Sequence, residues 1–248
     1  MIFFCTMCYA KQADIQSKFH EDEFELRSLA KHRNDVTRAL HAKPGSSLSF
    51  SHGVKFDCVL NRIPNFHVTN NFSLDIMHIV LEGIISVELS CVLFHLCSTY
   101  ECVSVSEINS RINSFWSAIN VEKCNKPPEL NVMDKPGRLF PSMKAVQSWA
   151  LLKYLPLFAL IMGDVVLADD PHWIFLLHLS ELVDLLFCHI FTHGMITYLR
   201  ELIADHLSMF VELYGTGENS LCLKLNHHLL VHLPIEVANS YPAEWSTC

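Results

Sequence analysis

The segment DIMHIVLEGIISVELSCVLFHLCSTY, residues 75–100, admits few folds. It contains no Lys, Arg or Pro, and its apolar residues recur at helical rather than alternating spacing. Such a run is a helix that must be covered by neighbours. Yet it opens with Asp75 and His78, three apart, and Glu82 follows one turn later. Those groups admit three readings: an acidic active site, metal ligands, or a helix cap beside a core histidine. Ser73 is the expected N-cap, which places Asp75 in the first turn, where the helix dipole favours an acid.

Similar signals recur downstream. Ser104 and Glu107 form a capping box ahead of a helix, and EKCNKPPELNVMDKPG reads as a linker. PSMKAVQSWALLKYLPLFALIMG is a helix with a kink at Pro156. Asp170 and Pro171 open DDPHWIFLLHLSELVDLLFCHIF, and the amphipathic stretch after it ends at Gly215. Upstream, KFHEDEFELRSLAKHRNDVTRAL reads as an exposed helix, 42–53 as a loop, and 54–71 as irregular with a short strand or two. The predicted chain is mainly α, with roughly six to seven helices. Residues 1–72 form a CxxC-bearing segment with an irregular linker. Residues 73–248 form a helical domain that ends in a His-x3-His helix.

Half of the 248 residues are hydrophobic, 18% are charged and glycine numbers only 8, as expected for a large helical core. The runs LLKYLPLFALIMG and HWIFLLHLSELVDLLFCHIF are too short or too polar for a bilayer span of about 20 residues, so they read as core helices and no membrane role is expected. MIFFCTMCYAK has no basic n-region. With ten cysteines in a chain this apolar, the expectation is a reducing compartment, nuclear or cytoplasmic, and not secretion. The net charge of −8, without a dense Lys/Arg cluster, argues against DNA binding by this chain alone. Nucleophile-elbow, P-loop, HExxH and dinucleotide motifs are absent from the sequence.

Cys5-x-x-Cys8 has the spacing of half a zinc site, and His228-x3-His232 puts two imidazoles on one helix face. His227 offers a longer His-x4-His spacing to the same partner. The competing reading is of ordinary buried thiols and histidines that decorate a helix. The run His20, Glu21, Asp22, Glu23 reads as solvated.

FHVTNNFSLDIMHIVLEGI resembles the DxMHxxLEG signature of transposase-like proteins from cut-and-paste elements, related to the CACTA (En/Spm) group and its DxMHxxKN version. FFCTMCYAKQADIQSKFHEDEFELRS is similar to the segment after that family's second catalytic aspartate. QSWALLKYLPLFALIMGDVVLADDPHW resembles its helical insertion. NHHLLVHLPIEVANSYPAEW resembles the stretch before the catalytic glutamate, with Tyr241-Pro242 in place of Gly-Pro.

The resemblance implies remnants of an RNase H-like core around a helical insertion domain. The family binds Mg²⁺ or Mn²⁺ through three acids and acts on DNA. By this alignment all three acids fall outside Met1–Cys248, so the expectation is a fragment inactive by itself, with DNA a partner only in a full-length enzyme. An active nuclease completed by other exons or a partner chain is one alternative. A helical module that binds a protein partner or its own copies is another. Asp75 and His78 match the family's Asp-x-x-His pair, an ancillary element and not a catalytic one. The V(D)J recombinase catalytic subunit, a related enzyme, holds Zn²⁺ with a CxxC and a spaced His pair. That implies Zn²⁺ at Cys5, Cys8, His228 (or His227) and His232.

Overall fold

The computed structural model describes residues 5–42, 53–99, 101, 103–118, 125–131, 135–137, 142–161, 168–217 and 219–240. Most of the loop expected over 42–53, parts of the 122–137 linker and the Tyr241–Trp245 stretch lie outside them. Among the described residues the protein is mainly helical, and strand pairing is limited to isolated bridges such as Cys8 with Leu26. The chain divides into two compact units. Unit 1 joins Met1–Leu74 to Leu223–Cys248, and unit 2 is Asp75–Cys222. The second is therefore inserted into the sequence of the first. The C-terminal histidine helix groups with the CxxC segment rather than with the helices that precede it.

Unit 1 carries α1 (Leu29–His41), with Ser28 accepting the Lys31 amide at its start. The exposed helix predicted over 18–40 is thus confined to its second half. Ahead of Ser28 the chain forms a 3-10 turn, Glu21–Glu23, and then extends, because its backbone pairs with the cysteine segment. Residues 54–71 hold no strand; they form the 3-10 turn Val59–Arg62 and loops, with Asn65 at φ 62° directly after Pro64. Positive φ at a non-glycine residue interrupts an extended strand.

Unit 2 is built on α2 (Met77–Thr99). This helix is wound as π turns over Met77–Ile84 and His95–Thr99 and as regular α-helix over Ile85–Phe94. By length and composition it is apolar enough to cross a membrane, but 67% of that stretch is buried within the protein. It packs against α4 (Ala145–Ile161), which contains Pro156, and α5 (Pro171–Leu186). The most extensive helix pairing joins α5 to α6 (His193–Tyr214). Phe175, Leu176, Leu179 and Leu182 line α5 at helical spacing and are fully buried. Each such side chain contributes about 1.5–3 kcal/mol through area removed from water. The helix ends follow the sequence. Ser104 caps α3 (Val105–Ala118), Asp170 caps α5, and Gly215 closes α6 where a Cβ would strike the Val211 carbonyl. At α2 the cap is Asp75, not Ser73: its carboxylate accepts the His78 amide at 3.2 Å.

Two polar clusters sit among these helices. Glu88 of α2 and His206 of α6 are 2.8 Å apart, both fully buried, with the Phe175 ring stacked on the imidazole. His95 lies 3.2 Å from Asp170 and stacks on His172 at 3.6 Å, and His172 Nδ1 is hydrogen-bonded to the Tyr214 hydroxyl at 2.8 Å. Replacing Glu88 or His206 alone with Leu removes this contact from a fully buried partner and is expected to cost about 3 kcal/mol or more. The double replacement is expected to cost less than the sum of the two, as read by a denaturant double-mutant cycle. A second expectation concerns pH. Burial, reinforced by His95, holds His172 down to about 4, against about 6.5 in an unfolded chain. Between those values the unfolded state binds more protons, so stability falls as pH is lowered through that window. His172→Gln is expected to flatten that part of the melting-temperature profile.

Candidate metal centre

The cysteine segment is held by backbone pairing: Tyr9 N–H donates to Glu25 O and Arg27 N–H to Met7 O, each at 2.9 Å. Within the turn, the Met7 amide points at Cys5 Sγ (3.3 Å) and Arg27 Nε donates to the Cys5 carbonyl. The C-terminal part of the unit is hooked on just ahead of its helices. Gln12 and Gln16 side-chain amides both donate to Leu223 O, and the Leu223 amide donates to Gln16 Oε1. From there α7 (Leu225–Leu229) runs into the 3-10 turn Leu230–His232 and then α8 (Leu233–Ser240). Pro234 accounts for the tightening, since it has no N–H to return to the Leu230 carbonyl. The Leu233 amide reaches that carbonyl instead.

These two segments bring four ligand atoms together. Cys8 Sγ is 3.1 Å from His228 Nε2, and Cys5 Sγ is 3.6 Å from His232 Nε2. The ligand atoms of Cys5, Cys8, His228 and His232 all lie within 4.8 Å of one another, and all four residues are buried. Zinc bonds of ~2.3 Å to sulfur and ~2.0 Å to nitrogen at tetrahedral angles put S and N roughly 3.5 Å apart. The observed separations bracket that value. The cluster thus has the donor set, spacing and burial to hold a metal such as zinc.

The electrostatics agree with an anion-rich donor set. Cys5 is held far below the usual thiol range by the hydrogen bond from Cys8, which outweighs its burial, with His228 and His232 adding to it. Cys8 is pushed up by the same bond and by its own burial. Burial resists protonation of His232, but hydrogen bonds to Cys5 and Glu21 outweigh it and raise the ring to about 9.

Glu21 was not foreseen. Its carboxylate sits 2.6 Å from His232 Nδ1, on the ring edge opposite the sulfur. This is the carboxylate–histidine arrangement that fixes the tautomer of a metal-bound imidazole. Glu23 shapes the turn that presents it, accepting the Phe19 and His20 amides. The ring of Phe24 packs edge-on to His228 at 4.7 Å.

His227 is buried but its Nδ1 accepts the Lys224 amide, and it is not part of the cluster. Nor are Asp75 and His78. They form a pair with 2.6 Å between Asp75 Oδ2 and His78 Nδ1, and both are more than half exposed. The hydrogen bond between them lowers the Asp75 carboxyl and raises the His78 imidazole. Asp75 is a helix cap, and His78 is a surface residue rather than a core histidine.

No protein family, curated protein or solved structure matches this chain.

Three substitutions test the assignment. His227→Ala is expected to leave metal binding intact, whereas His228→Ala removes it. Glu21→Gln is expected to weaken metal affinity by roughly 10–100-fold. Cobalt absorption titrations read all three.

Proposed function

We propose that the chain is a module of a transposase-derived protein, in which a structural zinc ion organises the unit that carries a helical insertion. The observation that carries this reading is the convergence of Cys5, Cys8, His228 and His232 from segments 220 residues apart. Four protein ligands fill a tetrahedral ion and leave no position for water or substrate, the mark of structural rather than catalytic zinc. Two thiolates and two neutral imidazoles around Zn²⁺ also make a buried centre of zero net charge. Unit 2 then corresponds to the helical insertion, and the segments on either side of it to flanks of an RNase H-like core.

Catalysis of DNA cleavage in this class requires carboxylates that clamp two divalent ions about 3.5–4 Å apart. Among the described residues, the grouping of metal-binding side chains is the Cys₂His₂ cluster. The chain's role in this reading is binding and assembly. A protein partner, or a second copy, is favoured by an exposed apolar stretch of unit 1: Val59, Leu60 and Ile63.

Purified protein is expected to carry about one zinc per chain by elemental analysis, with chelation lowering its melting temperature. Cys8→Ser and His232→Ala should each lose the ion. Metal-free protein with an unchanged melting temperature would sink the zinc reading. In nicking and strand-transfer assays with Mg²⁺ or Mn²⁺ no product is expected. Metal-dependent cleavage that disappears in Asp75→Ala would overturn the non-catalytic role.

A further inference from the structure

Unit 1 contains a second feature that the metal reading does not use. A cavity of about 360 Å³ opens between α1 and the 53–72 segment. That volume is at the lower end of the range for small-molecule sites, with room for about one nucleotide-sized ligand. Its walls combine two chemistries. Phe56 and Phe72 supply flat apolar surface, and they are 71% and 40% exposed, so their rings are open to a planar group. Arg27 and Lys55 supply cations, and Thr6 and Thr69 supply hydroxyls.

The independent observation is His32. It lines the cavity and is only 8% exposed, yet its buried Nε2 has no hydrogen-bond partner in the protein. A buried polar atom left unsatisfied costs about 1–3 kcal/mol. A polar group entering the cavity relieves that cost. The charges around His32 come from several segments. Arg27 and His67 act on it as positive groups, and Asp57 and Asp35 as negative ones. Asp35 lies 3.9 Å from Arg27 and offsets part of its charge. The wall groups suit an anion attached to a flat body rather than a bare anion or an apolar molecule.

We propose that this cavity binds a nucleoside monophosphate unit, with the base against Phe56 and Phe72, the phosphate toward Arg27 and Lys55, and His32 Nε2 bonded to the ligand. Base–aromatic stacking tolerates any base because every base has a π-face. The unit has two sources, a free nucleotide or an unpaired nucleotide at a DNA end. Cys5 of the metal cluster also lines the cavity, and Arg27 Nε donates to its carbonyl, so the variants that test the proposal are placed at Lys55 and His32 and zinc content is read beside binding.

The test is equilibrium binding of the full chain to deoxyadenosine monophosphate, inorganic phosphate, a hairpin DNA with one unpaired 5′-phosphorylated nucleotide, and the same hairpin blunt-ended. Zinc content is measured on every sample. Saturable binding of the mononucleotide, tighter than phosphate, is expected. Binding of the overhanging hairpin in preference to the blunt one would assign the source to a DNA end; equal hairpins with mononucleotide binding would assign it to free nucleotide. Lys55→Glu, on the rim, and His32→Leu are each expected to weaken binding by about tenfold, the ~1.4 kcal/mol of one contact, with zinc unchanged. The Lys55 variant keeps the test decisive if the His32 variant does not fold. Phosphate binding as tightly as the mononucleotide, absence of saturable binding to all probes, or affinity unchanged in Lys55→Glu would each overturn the proposal. Loss of zinc with nucleotide binding retained would count against the metal reading alone.

Discussion

Two buried thiols facing two buried imidazoles are the constraint on which unit 1 depends. Without an ion such a group is a poor core: the bond between the sulfurs drives the two thiols in opposite directions, and His232 is pushed toward its charged form inside the protein. A divalent ion would remove the conflict, replacing the protons, neutralising both thiolates and taking both imidazoles as neutral donors. The surrounding bonds already point that way. The Met7 amide faces one sulfur, and Glu21 holds the far edge of the His232 ring. A link between Cys8 and His228 also closes a loop of 220 residues. A covalent cross-link over such a loop would be worth about 5 kcal/mol in the chain-entropy account.

The inserted helices are stabilised differently. Unit 2 has its own core on α2, α5 and α6, and its buried Glu88 and His206 pair with each other. Glu88 and His206 come from helices distant in sequence and meet beneath the Phe175 ring. A fully buried pair of this kind adds little net stability over apolar residues of the same size, but it penalises every packing that separates its members. It thereby selects one arrangement of α2 against α6. The π turns at both ends of α2 re-aim its side chains, and π winding inside helices recurs at functional sites.

Legibility in the sequence followed the range of the interaction. Ser104, Asp170 and Gly215 mark helix ends through bonds to residues three or four away, so their signals survive in a linear reading. At α2 two candidate caps compete within three residues, and propensity alone does not choose Asp75 over Ser73. The charged stretch before Ser28 has helical composition, but pairing of Tyr9 with Glu25 and Arg27 with Met7 draws it into extended backbone. That is a tertiary effect with no local signature. The four residues of the Cys₂His₂ cluster could be singled out because CxxC and His-x3-His are short-range spacings, and the family resemblance set the two side by side. The choice of His228 over His227 was not readable, since it depends on the Lys224 amide capturing the His227 ring. Glu21 had no signal at all; it lies 211 residues from His232 and sits among other acids.

The central claim is that one ion joins the two halves of unit 1 through two sulfurs and two nitrogens. X-ray absorption at the zinc K-edge on purified protein tests it most directly. The account predicts a first shell of about two sulfurs at ~2.3 Å and two imidazole nitrogens at ~2.0–2.1 Å. A shell made only of oxygen and nitrogen, or one of four sulfurs from two chains, would contradict it.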